Sequence, residues 1–241
     1  MTVALVTGAN KGIGLETARQ LAAQGTQVLM GARNEQLGRQ AAAELAAAGL
    51  PVAYLPLDVN NPAQVQAAFD LIDQQYGRLD ILVNNAGIQI ESDNWDDNTA
   101  TNINETVLRQ TFDTNFFAIV HLTNTLLPLI KKSEAGRIIN LSSILGSLTL
   151  HADPQSPIYS SKLFAYNASK TALNAYTVHL AHALAHTTIR VNAAHPGWVK
   201  TDMGSDAAPM NVVDGAKTTV QLAGPDAPNG KYIHLGQELP W

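Results

Sequence analysis

Apolar residues along the chain fall into short, nearly unbroken runs that alternate with longer stretches where they recur every three or four positions. The runs VALVTG (Val3–Gly8), QVLMGA (Gln27–Ala32), VAYLPLD (Val52–Asp58), DILVNNAG (Asp80–Gly87), RIINLSS (Arg137–Ser143), IRVNAAHPG (Ile189–Gly197) and KYIHL (Lys231–Leu235) predict seven buried strands. Between the first four lie IGLETARQLAAQG, NEQLGRQAAAELAAAG and NPAQVQAAFDLIDQQYG. Each has helical periodicity and ends on a glycine, the residue that most readily closes a helix. Strands with no polar face, alternating with helices, imply parallel strands covered on both sides. The expected fold is therefore α/β: a doubly wound, Rossmann-type, mostly seven-stranded parallel sheet. No repeat or linker interrupts the pattern, so residues 1–241 are expected to form one domain. The least regular segments are Gln89–Asn104, polar and acidic, and Gly204–Gly230, rich in Gly, Pro and Ala. Loops at strand C-termini carry function in such sheets, so both are candidate walls of an active site.

Composition narrows the class. Hydrophobic residues make up 46% and charged residues 15%, which suits a packed globular chain. The formal net charge is -5 and no Lys/Arg run occurs, which argues against nucleic acid or an anionic membrane as partner. The absence of cysteine excludes disulfides, thiol nucleophiles and thiolate metal sites. The N-terminal MTVALVTGAN does not read as a signal peptide, and no apolar run approaches the ~20 residues that span a bilayer. A cytoplasmic location is expected.

The first chemistry-bearing motif is TGANKGIG, placed after the first strand and opening the first helix. Gly8, Gly12 and Gly14 allow a tight turn and close approach of the backbone to a pyrophosphate at the helix N-terminus. Charge then points to the nucleotide. An acid about 20 positions past the glycines accepts bonds from a ribose 2′-OH, whereas arginine there favours a 2′-phosphate. Here the second strand ends on Ala32 and Arg33, with no carboxylate until Glu35, and Lys11 adds a cation inside the loop. Two cations and no acid favour NADP(H).

The stretch SPIYSSKLFAYNASK holds two tyrosine–lysine pairs, Tyr159 with Lys162 and Tyr166 with Lys170. On a helix from about Tyr166 to His186, at roughly 100° per residue, Lys170, Leu173, Leu180, Ala181 and Leu184 fall within about 60° of Tyr166. Tyr166 and Lys170 thus share the face turned to the sheet. Lys162 trails Tyr159 by about 60°, in a segment after Pro157 that is either loop or first turn.

The spacing Gly-x-x-x-Gly-x-Gly, Asp58 after the third strand, NNAG at Asn84–Gly87, Asn115, Ser143, YNASK and HPGWVKTD occur together and in order. In these motifs, over nearly the entire chain, the sequence resembles the short-chain dehydrogenase/reductase family. The resemblance implies a Tyr-x-x-x-Lys pair, which Tyr166 and Lys170 satisfy and Tyr159 does not. It implies that Ser143, the second serine of its strand, orients the substrate oxygen, leaving Ser142 structural, and that Asn115 holds a water for proton relay. A single buried asparagine is as often simply satisfied by its neighbours. Cofactor contacts implied are Gly8, Asn10, Lys11, Gly12, Ile13 and Gly14; Arg33, Asp58 and Val59; Asn85, Ala86 and Gly87; Tyr166 and Lys170; and Pro196, Gly197, Val199 and Thr201.

These residue types suit carbonyl reduction, which needs a hydride donor and a proton for the developing alkoxide. A free tyrosine titrates near ~10, and a neighbouring ammonium is expected to lower that value. The Lys170 ammonium can also hold nicotinamide ribose hydroxyls. Ser143 and Tyr166 lie 23 positions apart, longer than usual in the family, and the extra segment is placed like the insertion of monomeric carbonyl reductases. A monomer is slightly favoured on that ground. Candidate substrate contacts are Ser143, Trp198, Ile88, His151 and Met203, with Leu148 and Tyr159, each otherwise ordinary packing.

His179, His182 and His186 have helical spacing but lie about 160–220° from Tyr166, so surface placement is expected and no metal site. Glu91, Asp93, Asp96 and Asp97 are expected to form a solvated loop. The resulting expectation is an NADP(H)-dependent reductase of a ketone or aldehyde, or the reverse reaction on an alcohol. Two alternatives are a catalytically silent NADP-binding sensor, which the intact Ser143–Tyr166–Lys170 set opposes, and sugar-nucleotide epimerase chemistry. The chain lacks the length and the glycine spacing for the latter.

Overall fold

A computed structural model describes residues 1–92 and 94–241. The strands are β1 (Val3–Thr7), β2 (Gln27–Ala32), β3 (Val52–Pro56), β4 (Ile81–Asn84), β5 (Arg137–Leu141), β6 (Arg190–Ala194), β7 (Tyr232–His234) and β8 (Gln237–Glu238). The helices are α1 (Gly12–Ala23), α2 (Glu35–Ala47), α3 (Pro62–Tyr76), α4 (Glu105–Phe112), α5 (Ala118–Ile130), α6 (Leu148–Ala152), α7 (Phe164–Ala183) and α8 (Val212–Leu222). All strands join one sheet in the order β3-β2-β1-β4-β5-β6-β7-β8. The first seven run parallel, and β8 returns antiparallel to β7. After β3 the chain crosses back over β1 to place β4 on its other side. The crevice at the C-terminal ends of β1 and β4 is thus the switch point where such sheets bind ligands.

The strand runs lack a polar face because each face packs on helices. Leu5, Leu29, Leu82, Ile138 and Val191 point to one side, where they meet Val65 and Ile72 of α3, Leu122 and Leu126 of α5 and Leu180 of α7. Their neighbours in sequence, Ala4, Val6, Val28, Met30, Ile81, Val83 and Ile139, point to the other, against Ala18 and Leu21 of α1 and Val220 and Leu222 of α8. Two apolar layers on opposite faces account for runs of continuous hydrophobicity.

Local signals define most helix ends. Asn61 caps α3 by accepting from the Ala63 and Gln64 amides at 3.0 and 3.3 Å, Pro62 follows at the first helical position, and Gly77 closes the helix at φ +70°. The eighth strand is an addition to the seven expected. It is a two-residue return made possible by Gly236 at φ +81°, too short to leave a periodic signature. The segment Gly204–Gly230, expected to be irregular, contains α8, whose Gly215 packs so closely on Val199 that a Cβ there would stand 2.7 Å from its Cγ2. β4, β5 and β6 stop three, two and three residues earlier than their apolar runs, at Asn84, Leu141 and Ala194. The residues left over turn off the sheet into the site. No helix among the described residues is long and apolar enough to cross a membrane.

Candidate active site

The glycine loop and the end of β4 are built as one unit. Thr7 Oγ1 accepts from the amides of Asn85 and Ala86 at 3.0 and 2.9 Å, and Asn85 Nδ2 donates to Thr7 O at 2.7 Å. A Cβ on Gly14 would stand 2.4 Å from Gly8 O and 2.5 Å from Asn85 Nδ2, so the packing of this unit itself requires glycine there. Gly8 and Gly12 sit at φ +65° and +55°, where L side chains are strained. The N-terminus of α1 is notable for what caps it. Helices α2, α3, α4 and α8 begin on Asn34, Asn61, Asn104 and Asn211, whose side chains bond the first-turn amides. Lys11 makes no such bond, and the first turn of α1 holds no acid. Its amides point into the β1/β4 crevice with the positive end of the helix dipole behind them, a fit for a dinucleotide pyrophosphate.

Arg33 is exposed at the end of β2 and has no carboxylate partner among the described residues. With Val59, Asn60, Ile88 and Ile90 it lines a cleft of about 630 Å³. Asp58 lies at the same edge, its carboxylate accepting from the Asn60 amide at 3.0 Å. Lys11 is not the free second cation that was expected: its ammonium is paired with the carboxylate of Asp202, and both are exposed. Asp202 belongs to the loop after β6, in which Thr201 Cγ2 approaches to 3.4 Å of where a Gly12 Cβ would be. Gly197 holds φ +91°, and any Cβ there would meet Met210 Sδ at 2.2 Å. Pro196 and Val199 are buried, which anchors this loop beside the glycine loop.

Across the crevice, α7 brings Tyr166 and Lys170 onto one face, as the helical angles predict. The helix begins two residues earlier than expected and ends three earlier. Lys170 is 4% exposed, and its Nζ donates to Leu141 O at 2.8 Å and stands 5.6 Å from the Tyr166 ring centroid. Burial alone pulls the ammonium down to about 8. The phenol does not follow the expected direction. Burial pushes Tyr166 up to about 12, opposed by the neighbouring Ser143 hydroxyl and reinforced by the negative charge of Glu91. The lysine lies over the ring rather than at the hydroxyl, so desolvation outweighs it. Ser143 leads the turn Ile144–Gly146 and accepts from the Leu145 amide at 3.3 Å. Ser142 faces away and donates to Asn174 Oδ1 at 2.6 Å in the interior.

Asn115 lies on a π-turn, Asp113–Phe117, between α4 and α5. Such turns often mark functional positions because they displace one side chain from the helical register. Its Oδ1 accepts from the Ile88 amide at 2.8 Å, and its Nδ2 donates to Ile88 O at 2.8 Å and Ser169 Oγ at 3.1 Å. A Cβ on Gly87 would reach 3.2 Å from Asn115 Oδ1 and 3.5 Å from Lys170 Nζ, so these three groups converge.

The candidate substrate residues are spread over several segments. Trp198 and Met203 are exposed on the loop after β6, the indole donating to Gly204 O at 2.6 Å. Leu148 and His151 lie on α6, and His151 Nε2 bonds Leu145 O at 3.0 Å. Tyr159 is exposed on a turn, with Lys162 Nζ 4.8 Å from its ring centroid, a surface cation–π pair separate from the Tyr166 centre. His179, His182 and His186 are exposed. Among the described residues no three His, Cys, Asp or Glu converge as metal ligands.

One expectation fails outright. Asp96 and Asp97 are exposed, and Asp93 lies outside the described residues, but Glu91 is buried. Its Oε1 accepts the Tyr166 amide at 3.1 Å, because α7 supplies no cap of its own and the chain bends Glu91 inward to serve. The sequence signal was available: SKLF places no Ser, Asn or Asp directly before Phe164. His195 was also missed. Its Nδ1 accepts from the amides of Ile144 and Gly197 at 3.2 and 3.4 Å, joining the Ser143 turn to the β6 loop. Burial depresses its pKa to about 3, which keeps the ring a neutral acceptor.

The comparisons with known proteins agree with this architecture. The family model described as short chain dehydrogenase matches residues 2–211. Carbonyl reductase (NADPH) 3 of Rattus norvegicus is 35% identical, with 96% of this chain and 95% of the rat protein covered. The structure of an NADPH-bound carbonyl reductase from chicken fatty liver superposes with a TM-score of 0.87 at 28% identity over all of both chains. The carbonyl reductase Sniffer of D. melanogaster gives 0.85 at 31% identity, covering 100% of this chain and 99% of that one. With a family model spanning most of its length and relatives above 30% identity over nearly all of it, the chain belongs to the short-chain dehydrogenase family.

Proposed function

We propose that the protein is an NADP(H)-dependent oxidoreductase that reduces a ketone or aldehyde to an alcohol, or runs the reverse, within one dinucleotide-binding and catalytic domain of residues 1–241. The observation that carries this reading is the convergence of Ser143, Tyr166 and Lys170 beside Gly87, next to an uncapped helix N-terminus fit for a pyrophosphate. Relatives named as NADPH carbonyl reductases support it.

The loop Gly8–Gly14, with Asn10 and Ile13, would hold the pyrophosphate on the α1 amides. Arg33 would meet the 2′-phosphate as a planar fork, with Lys11 exchanging Asp202 for the same charge. Asp58 and Val59, Asn85–Gly87, and Pro196, Gly197, Val199 and Thr201 would line the remaining length. When bound, the nicotinamide supplies a hydride. The chain's own residues handle the oxygen and the proton. Ser143 Oγ, close enough to the phenol to act on its pKa, would hold the carbonyl oxygen near it. Tyr166, kept protonated by burial, donates its proton as negative charge develops on that oxygen. Lys170, with its ammonium fixed by Leu141 O, provides positive charge beneath the ring and a donor toward the ribose. The convergence of Asn115 with Lys170 and Gly87 fits a role in passing a proton outward.

The test is NADPH oxidation followed by absorbance with a panel of ketones and aldehydes, and the reverse with secondary alcohols. Turnover with at least one carbonyl is expected. Tight NADPH binding with no turnover across the panel would instead identify a sensor.

A further inference from the structure

Helix α7 carries Tyr166 and Lys170 yet does not cap its own first turn. Leu163 stands at the N-cap and makes no side-chain hydrogen bond, whereas α2, α3, α4, α6 and α8 begin on Asn34, Asn61, Asn104, Ser147 and Asn211, each bonding amides of its own helix. The first four amides of a helix find no partner within it. Tyr166 is the third residue of α7, so its own N–H is one of those four. Its partner comes from 75 positions earlier, where Glu91 Oε1 accepts it at 3.1 Å, and the Ala165 amide lies beside the same carboxylate.

Glu91 is 8% exposed, and its Oε2 is buried without a partner among the described residues. A carboxylate in such a place costs desolvation, which pushes its pKa above the usual carboxylate range, and its contact with the α7 amides opposes that shift. The loop bearing Glu91 is also anchored. Asn85 and Ala86 are tied to Thr7, and both backbone groups of Ile88 are held by Asn115. Glu91 follows three residues after that fixed point.

We propose that Glu91 is a positioning residue for the reaction: by capping α7 from the β4 loop, it sets where the Tyr166 hydroxyl stands relative to Ser143 and the glycine loop. The other ties between α7 and this frame lie later along the helix: Asn115 Nδ2 to Ser169 Oγ, Lys170 Nζ to Leu141 O, Thr171 Oγ1 and Asn174 Nδ2 to Gly146 O, and Ser142 Oγ to Asn174 Oδ1. They fix its second and third turns. Among the described residues only the Glu91 carboxylate bonds the amide of the reacting tyrosine. Displacement of a reacting group by about 1 Å is enough to cost roughly 100-fold in rate. The charge of Glu91 also acts on the phenol, favouring the proton-bearing form.

This inference rests on Tyr166 being the proton donor, and the experiment separates the two. Glu91→Ala, Glu91→Gln and Tyr166→Phe are made in the full chain. Steady-state kinetics with NADPH and a carbonyl substrate are combined with amide hydrogen exchange over residues 164–167. Glu91→Ala should lower kcat about ten-fold or more, leave the KM for NADPH within about two-fold, and speed exchange in the first turn of α7 alone. Glu91→Gln keeps an oxygen acceptor at the same reach and should restore both protection and kcat to within about three-fold. A cap with a purely structural role would change exchange and stability but not kcat. Wild-type kcat in Glu91→Ala beside an inactive Tyr166→Phe would therefore overturn the positioning role and leave the proton-donor reading intact. Loss of kcat and of NADPH binding together, unrepaired by Gln, would overturn it as well. An active Tyr166→Phe would remove the reading on which it rests.

Discussion

Tyr166→Phe removes one oxygen and leaves the ring in its half-buried place. The packing of α7 is kept, since the ring and its contact with Lys170 remain, and what is lost is the hydroxyl beside Ser143. The exchange of that hydroxyl for hydrogen should cost about 1 kcal/mol of stability. Its effect on rate should be larger. A positioned general acid is worth about 10²–10⁴-fold, or about 2.7–5.4 kcal/mol of transition-state stabilisation at 1.36 kcal/mol per decade. With the phenol pushed up to about 12 by burial, the side chain holds its proton throughout the neutral range and can act as the donor. The assay is NADPH absorbance under saturating carbonyl substrate, paired with a fluorescence titration of NADPH. kcat should fall by at least about 100-fold while NADPH affinity stays within about three-fold. Tyr159→Phe, on an exposed turn, is the internal control and should change kcat by less than about two-fold. A Tyr166→Phe enzyme retaining more than about a tenth of the wild-type kcat would refute the assignment, as would inactivation by Tyr159→Phe.

Cofactor choice should reverse on replacing Ala32 with Asp and Arg33 with Ser. The carboxylate repels a 2′-phosphate and accepts from a 2′-OH, and each lost charge-assisted bond is worth roughly 1.5–3 kcal/mol, so titration of both nucleotides should show NADP(H) weakened at least ten-fold and NAD(H) strengthened. Equal wild-type affinities would show that Arg33 points elsewhere. Gly14→Ala puts a methyl 2.4 Å from Gly8 O, a backbone atom, so thermal unfolding should reveal a loss of about 1–3 kcal/mol together with weaker nucleotide binding. Lys170→Met tests the cost of the buried ammonium. Its folded pKa near 8 lies below the ordinary 10.5, so below pH 8 both states hold the proton and the wild type bears the full penalty. As pH rises from 8 to 10.5 the unfolded state binds more protons, and wild-type stability should gain roughly 3 kcal/mol relative to the Met variant in denaturant titrations. A difference independent of pH over that window would contradict the depressed pKa.

The sequence by itself determined the parts of this protein that depend on near neighbours. Seven strands were legible because buried parallel strands carry apolar side chains on both faces, and three connecting helices because helical periodicity and a closing glycine, Gly25, Gly49 and Gly77, are local signals. The Tyr166–Lys170 face followed from helical angle alone, and Gly8, Gly12 and Gly14 from the backbone geometry of a loop between a strand and a helix. Tertiary structure decided what depends on distant partners. Nothing in the local pattern around Glu91 distinguishes it from Asp96 and Asp97, since its burial is set by the uncapped amides of a helix 75 positions away. The pairing of Lys11 with Asp202, across 191 positions, altered an argument from charge that counted cations but not the loop that would lie beside them. The direction of the Tyr166 shift belongs here too. A lysine four residues on predicts a lowered phenol pKa, but a pKa is a balance between neighbouring charge and lost water. How much water is lost depends on what the rest of the chain packs over the site.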